Sequence, residues 1–248
     1  KLSLLERLSR WVRRSVTLKL VIIGFLVLVL LVPASLLQGL ITEREYTRDA
    51  ATREVSDKWG GPQTVGGPVI SVPFRVIQKN ERGQTSTTTQ YAHFLPEDLK
   101  VTGTVTPEKR YRGIYVVVLY NVRLEISGSF RQPNLRALNV PPADFMLGDA
   151  VLSLGVSDMK GIKENIRVQW NDTTLAFNPG IATADVFPSG ISVPVNLDAQ
   201  TFRFSCQVSL NGSTSLHFLP LGKETVVNLQ SPWTDPSFEG SFLPEQRN

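Results

Sequence analysis

Cysteine and histidine are almost missing from this sequence, which has one cysteine, Cys206, and two histidines, His93 and His217, in 248 residues. A lone cysteine excludes an intrachain disulfide, and so few ligands exclude the usual spacings of a zinc site. The pattern G-x-S-x-G is absent, so no nucleophile elbow is marked. A phosphate loop needs lysine and a hydroxyl after its last glycine, but Gly61 to Gly66 is followed by Gly67 and Pro68. Positive charge is concentrated at the start. Residues 1–19 hold Lys1, Arg7, Arg10, Arg13, Arg14 and Lys19 against Glu6, a net +5. The whole chain is +4, which leaves −1 for the remaining 229 residues. With no basic patch downstream, nucleic acid is excluded as a partner.

Charge of either sign is missing from Leu20 to Leu37, and Leu40 and Ile41 extend the apolar reach. Residues 18–41 as a helix would cover roughly 36 Å, enough to cross the ~30 Å core of a bilayer. Pro33 falls inside this span, where membrane helices tolerate it. A cleaved signal peptide shares the basic start and apolar core, but this core is long and no small-x-small site follows it, which favours an anchor. Beyond the span, Arg44, Arg48 and Arg53 are interleaved with Glu43, Glu45, Asp49 and Glu54. The cation excess ahead of the span therefore predicts a cytoplasmic N-terminus, with everything after residue 42 outside. Within residues 1–17, Leu4, Leu5, Leu8, Trp11 and Val12 recur at helical spacing opposite Arg7, Arg10, Arg13 and Arg14. Arg7, Arg10, Trp11, Arg13, Arg14 and Lys19 form the expected contact with anionic lipid, a disordered basic tail being the alternative.

Residues 42–58 contain no glycine or proline and offer the pairs Asp49–Arg53 and Glu54–Lys58 at i,i+4. The transmembrane helix (18–41) is thus expected to continue as a helical stalk over 42–60. Gly60 and Gly61 can end it in a left-handed conformation, and Pro62 prevents its resumption. Together with Gly66, Gly67 and Pro68 they form the expected structural junction between stalk and sheet. Ile70, Val72, Phe74 and Val76 then alternate with Ser71, Pro73 and Arg75, a strand in which Pro73 suits an edge.

Further strands are predicted at 114–127, 150–156, 166–170, 173–177, 201–210, 215–219 and 225–229, with Trp170-Asn171-Asp172-Thr173 as a tight hairpin. Phe202, Phe204, Cys206, Val208 and Leu210 share one face, which makes Cys206 a small buried hydrophobe. The fold class is mainly β, an antiparallel β-sandwich-like body after one long apolar helix. Ile-Ser-Val-Pro at 70–73 recurs at 191–194, and His-Phe-Leu-Pro at 93–96 recurs at 217–220. Either chance or a tandem duplication explains this, the latter dividing the body into 61–185 and a truncated 186–248. A duplication requires the same strand order in both copies.

The basic start, the single long span, E-R-x-x-x-R-x-x-A-x-x-E-V from residue 43 and W-G-G-P-Q-x-x-G-G-P-V-I-x-V-P-F from residue 59 resemble the CreD family. The late segment S-P-W-T-D-P-S-F-E-G-S-F-L-P, residues 231–244, resembles it too. That family comprises bacterial inner-membrane proteins known for cell-envelope integrity. The resemblance implies an inner-membrane anchor, a periplasmic β domain, other envelope proteins as partners, and more extracytoplasmic sequence and further spans after Asn248. Lys1 in place of an initiating methionine also suggests a part of a longer chain.

No catalytic set is nominated. His93 and His217 precede Phe-Leu-Pro at strand ends, where a turn-facing imidazole is expected. Asp144, Asp149, Asp158, Asp235 and Glu239 have no spacing that demands acid–base work. Trp59, Trp170 and Trp233 are expected in the core or at its edge. Asn171-Asp172-Thr173 and Asn211-Gly212-Ser213 are formal sequons expected to be turns. No cofactor or metal is expected. The expected role is binding or scaffolding rather than catalysis, the alternatives being an envelope hydrolase with carboxylates from distant loops and a lipid-carrying β domain with an elongated apolar cleft.

Overall fold

A computed structural model describes residues 16–79, 85–234 and 236–241. The membrane-surface residues Arg7, Arg10, Trp11, Arg13 and Arg14 lie outside the described residues, whereas Lys19 lies within them. The chain divides into two compact units, Lys1–Thr52 and Arg53–Asn248. Helix α1, Val16–Trp59, is continuous across Pro33. Its apolar run is bare, with Leu20, Phe25 and Leu30 each more than 60% exposed. Such an apolar run needs an apolar solvent around it, since none of it is covered by protein among the described residues. Its hydroxyls are satisfied internally: Ser35 donates to Val32 O at 2.7 Å and Thr42 to Gln38 O at 3.0 Å. Of the two anticipated ion pairs, Glu54–Lys58 forms at 3.6 Å, while Asp49 pairs with Arg48 at 3.3 Å.

The second unit is a two-sheet sandwich built from β1 (Gln63–Lys79), β2 (Thr85–Phe94), β3 (Asp98–Arg112), β4 (Tyr115–Arg131), β5 (Val151–Val156), β6 (Arg167–Trp170), β7 (Thr173–Ala176), β8 (Asn178–Pro179), β9 (Gly190–Pro194), β10 (Thr201–Ser213), β11 (Leu216–Leu219) and β12 (Glu224–Gln230). One sheet runs β11-β1-β5-β9-β8 with β2 also on β1, and the other runs β12-β3-β4-β10-β6-β7. Most pairs are antiparallel, as the sequence suggests, but β1–β11 and β3–β12 are parallel. Parallel neighbours come from distant chain segments and leave no hairpin signal.

Alternation positions the core. Phe202, Phe204, Cys206, Val208 and Leu210 on β10 are all buried, facing Leu152, Leu154, Ile70 and Val72 of the other sheet. Phe202 stacks on Trp170 at 5.2 Å, and Phe130 tilts against Phe204 at 5.3 Å. Each such buried side chain contributes about 1.5–3 kcal/mol. Burial also pushes the Cys206 thiol up to about 12, so it stays protonated and inert.

Several sequence expectations change here. β1 begins at Gln63, so Gly66, Gly67 and Pro68 lie inside a strand rather than in a connecting loop. β1 is also internal, because β5 pairs one side while β2 and β11 share the other. Pro73 lies beyond Ser71, the last β1 residue paired with β5. Asn211-Gly212-Ser213 belongs to β10 and is not a turn, whereas Asn171, at φ 49°, does turn the β6–β7 hairpin. The repeated tetrapeptides sit differently. Ile70 pairs with Phe94 between β1 and β2, but His217 of β11 pairs in parallel with Thr64 of β1, and Ile191 of β9 pairs with β5 and β8. The strand order around the two echoes differs, and both echoes lie in the single unit Arg53–Asn248.

Candidate functional site

The end of α1 enters the sandwich through a dense hydrogen-bond network, in which Ser56 Oγ, Asn211 Oδ1 and Ser213 Oγ are buried without a hydrogen-bond partner among the described residues. Gly60 takes φ +143°, a region that favours glycine, and a Cβ there would stand 2.6 Å from Asn211 O. Its N–H donates back to Ser56 O at 2.8 Å. The Gly61 N–H donates to Asp158 Oδ2 at 2.9 Å, while Oδ1 of the same carboxylate accepts from the Lys160 N–H at 3.0 Å. One acidic side chain thus caps the 3-10 turn Met159–Gly161 and holds the stretch after the helix.

Gln63 is the centre of this network and is completely buried. Its Nε2 donates to Asp158 O and Asn211 O, both at 3.0 Å, and its Oε1 accepts from the Asp158 N–H at 3.2 Å. Ser157 Oγ donates to Pro62 O at 3.0 Å and accepts from the Thr64 N–H at 2.8 Å. Gly161 makes room for the amide, since a Cβ there would lie 2.3 Å from Gln63 Nε2. Trp59 Nε1 donates to Tyr120 O at 3.3 Å, with Lys163 Nζ 5.9 Å and the Arg110 guanidinium 6.0 Å from its ring. Tyr120 OH donates to Ser215 O at 2.7 Å, and burial holds its pKa well above the ordinary phenol value. Arg112 grips Glu54 through two bonds, at 3.0 and 2.7 Å.

Of the expected junction residues, the structure therefore brings Gly60, Gly61 and Pro62 together here. Gly66 and Gly67 serve a different contact, with the ring of Phe187. Gly66 pairs with Gly155 on β5, and a Cβ on either would meet that ring at 2.7 or 2.4 Å.

A second grouping was not anticipated. Ser71 Oγ lies 2.9 Å from His93 Nδ1, and His93 Nε2 lies 3.4 Å from Asp185 Oδ2. Hydrogen bonds from Thr183 and then His93 hold the Asp185 carboxyl below its usual range. The residue types are those of a nucleophilic triad, yet Ser71 is 2% exposed between its neighbours on β1, so its hydroxyl is not presented to a substrate. His93 faces Ser71 because the two are direct cross-strand partners, a register invisible in sequence. A separate polar cleft of about 370 Å³ is lined by Arg123, Glu164, Asn165, Ile166, Gln207 and Ser209. Among the described residues, no group of three or more His, Cys, Asp or Glu is placed to hold a metal ion.

Comparison with known proteins places this geometry in context. The family model described as "Inner membrane protein CreD" matches residues 15–248. The chain belongs to the CreD family. The Inner membrane protein CreD of Escherichia coli (strain K12) is 30% identical over 227 residues, covering 89% of this chain and 50% of that protein. The chain thus spans about half the length of this curated CreD relative. No solved structure matches it. Membership of this inner-membrane family accounts for the bare apolar helix, whose stretch from Lys19 is long and apolar enough to cross a bilayer with none of its apolar window buried.

Proposed function

We propose that this chain is a membrane-anchored periplasmic binding module for the cell envelope, with its N-terminus in the cytoplasm, acting by contact with other envelope proteins rather than by catalysis. The observation that carries the reading is the Gln63–Asp158–Trp59 clamp, which ties the last turn of the helix to the sandwich through part-buried hydrogen bonds. A clamp of this kind suits a scaffold, because it holds the segment from Glu54 to Gln63 firmly within the unit Arg53–Asn248. The buried hydroxyl of Ser71 supports contact over covalent chemistry. The excess of cations before the apolar run supports the orientation.

Photo-crosslinking from exposed positions of the sandwich, carried out with the full-length protein in its own membrane, tests the role. Repeated capture of one envelope protein is the expected result. Capture of lipid alone would replace the scaffold with a carrier.

A further inference from the structure

We infer that the tip of the β3–β4 hairpin is a second membrane contact, an interfacial foot that binds the surface of an anionic bilayer. The tip reads Glu108-Lys109-Arg110-Tyr111-Arg112-Gly113-Ile114-Tyr115-Val116. A hairpin turn in water is normally small and polar, yet Tyr111 is 71% exposed, Ile114 75% and Val116 48%.

The exposure has a structural cause. Tyr111 and Val116 are direct cross-strand partners, and Val116 shares its face of β4 with Val122, Leu124 and Ile126. Those three are buried under the facing sheet, whereas Val116 is open. The strand pair therefore runs past the end of its cover and presents an apolar and aromatic point.

Four cations surround that point, Lys109 Nζ lying 5.2 Å from the Trp233 ring, and the acids beside them are fewer. Arg112 pairs with Glu54, Arg110 with Glu108 at 2.8 Å, and Lys58 reaches Glu54 at 3.6 Å. Lys58, Lys109, Arg110 and Arg112 against Glu54 and Glu108 leave a net +2. Tyrosine and an aliphatic tip at headgroup depth, ringed by lysine and arginine, is the composition that binds an anionic interface.

The chain itself limits how far this tip can lie from the apolar run. Arg112 is bonded to Glu54, and Glu54 stands thirteen residues after Ile41, the last residue of the apolar run. Thirteen residues span at most roughly 45 Å when fully extended, and roughly 20 Å as helix. The inference needs only that the apolar run sits in a bilayer, and does not depend on which side the sandwich occupies.

The test uses the full-length protein reconstituted in vesicles of phosphatidylethanolamine with phosphatidylglycerol, and separately in phosphatidylcholine alone. An environment-sensitive NBD probe is placed at Ile114→Cys and, as the reference, at Asp172→Cys in the β6–β7 turn. Buried Cys206 is left in place, with a sample lacking any added cysteine as the labelling blank. In the anionic vesicles, doxyl-labelled lipid should quench the probe at position 114 about threefold or more over the probe at 172. That difference should shrink in phosphatidylcholine, in high salt, and in the Lys109→Glu/Arg110→Glu variant. The salt arm keeps the test valid if the variant fails to fold. Equal quenching at 114 and 172 in both lipids would overturn the inference. So would a blue-shifted probe at 114 that lipid does not quench, since the tip would then be covered by protein.

Discussion

At the scale of single residues, the decisive side chain is Gln63. Its amide is completely buried and holds Asp158 O, Asn211 O and the Asp158 N–H at once. Gln63→Leu keeps the size and removes every one of these partners, leaving buried backbone groups unpaired. Each unsatisfied buried group costs about 1–3 kcal/mol, so we expect a total loss of about 3–5 kcal/mol, measured as a shift of the denaturation midpoint with unchanged slope. The variant should also loosen Trp59, read as a red shift of its fluorescence. Unchanged stability would mean that water replaces the amide and that the clamp is not rigid. Gln63 could be read from sequence only as part of a family motif, because its partners lie 95 and 148 positions away. Cys206, by contrast, was legible at once, since alternation alone put it on the apolar face of β10.

At the scale of elements, β12 is an edge strand joined in parallel to β3, and the turn before it is pinned by charge. Lys223 Nζ lies 2.6 Å from Glu97 Oε1, and Arg131 Nε lies 3.7 Å from Oε2. The Lys223 hydrogen bond, aided by the charges of Lys223 and Arg131, holds the Glu97 carboxyl below its ordinary value of 4.5. A carboxyl depressed in the folded state stabilises the fold above its ordinary value, and that contribution is lost as pH falls through the lowered one. The melting temperature of Lys223→Met should therefore fall below that of the unmodified chain at neutral pH and converge with it in acid. A gap that persists in acid would assign the effect to packing instead. β12 was readable because its residues carry strand propensity between turn signals, and so were β4, β5, β6, β7, β10 and β11. Strands β2 and β3 were missed for a physical reason: Thr85–Gln90 is exposed on both faces, and the outer half of β3 is exposed past its cover. β2 has no buried stripe over Thr85–Gln90, and the stripe of β3 is short, Leu99 and Val101 being buried before Gly103 interrupts it. The parallel edges and the Gly66–Gly155–Phe187 contact depend on pairings between distant segments, which no local pattern encodes.

At the scale of the whole molecule, the question is what sets the side of the membrane on which the sandwich folds. The apolar run is symmetric in this respect, since a stretch without charges inserts equally well in either direction. The asymmetry lies in its flanks, with six cations and one acid in residues 1–19, but three arginines among four acids over residues 43–54. Lysine and arginine near a span are retained on the cytoplasmic side, and acids contribute little to that choice. Removing the excess should therefore change orientation without changing insertion. Replacing Arg7, Arg10, Arg13 and Arg14 with glutamate leaves Lys1 and Lys19 against the three arginines beyond the span, so the cation bias no longer favours the original direction. Asp172→Cys, in an exposed turn, reports the outcome through a membrane-impermeant maleimide applied to intact spheroplasts. With the native flank the site should label fully, and with the replaced flank a substantial fraction should label only after lysis. If the replaced flank labels as fully as the native one, orientation is fixed by something other than these four arginines. If the native chain itself labels only after lysis, the sandwich lies in the cytoplasm and its envelope partners must be sought there.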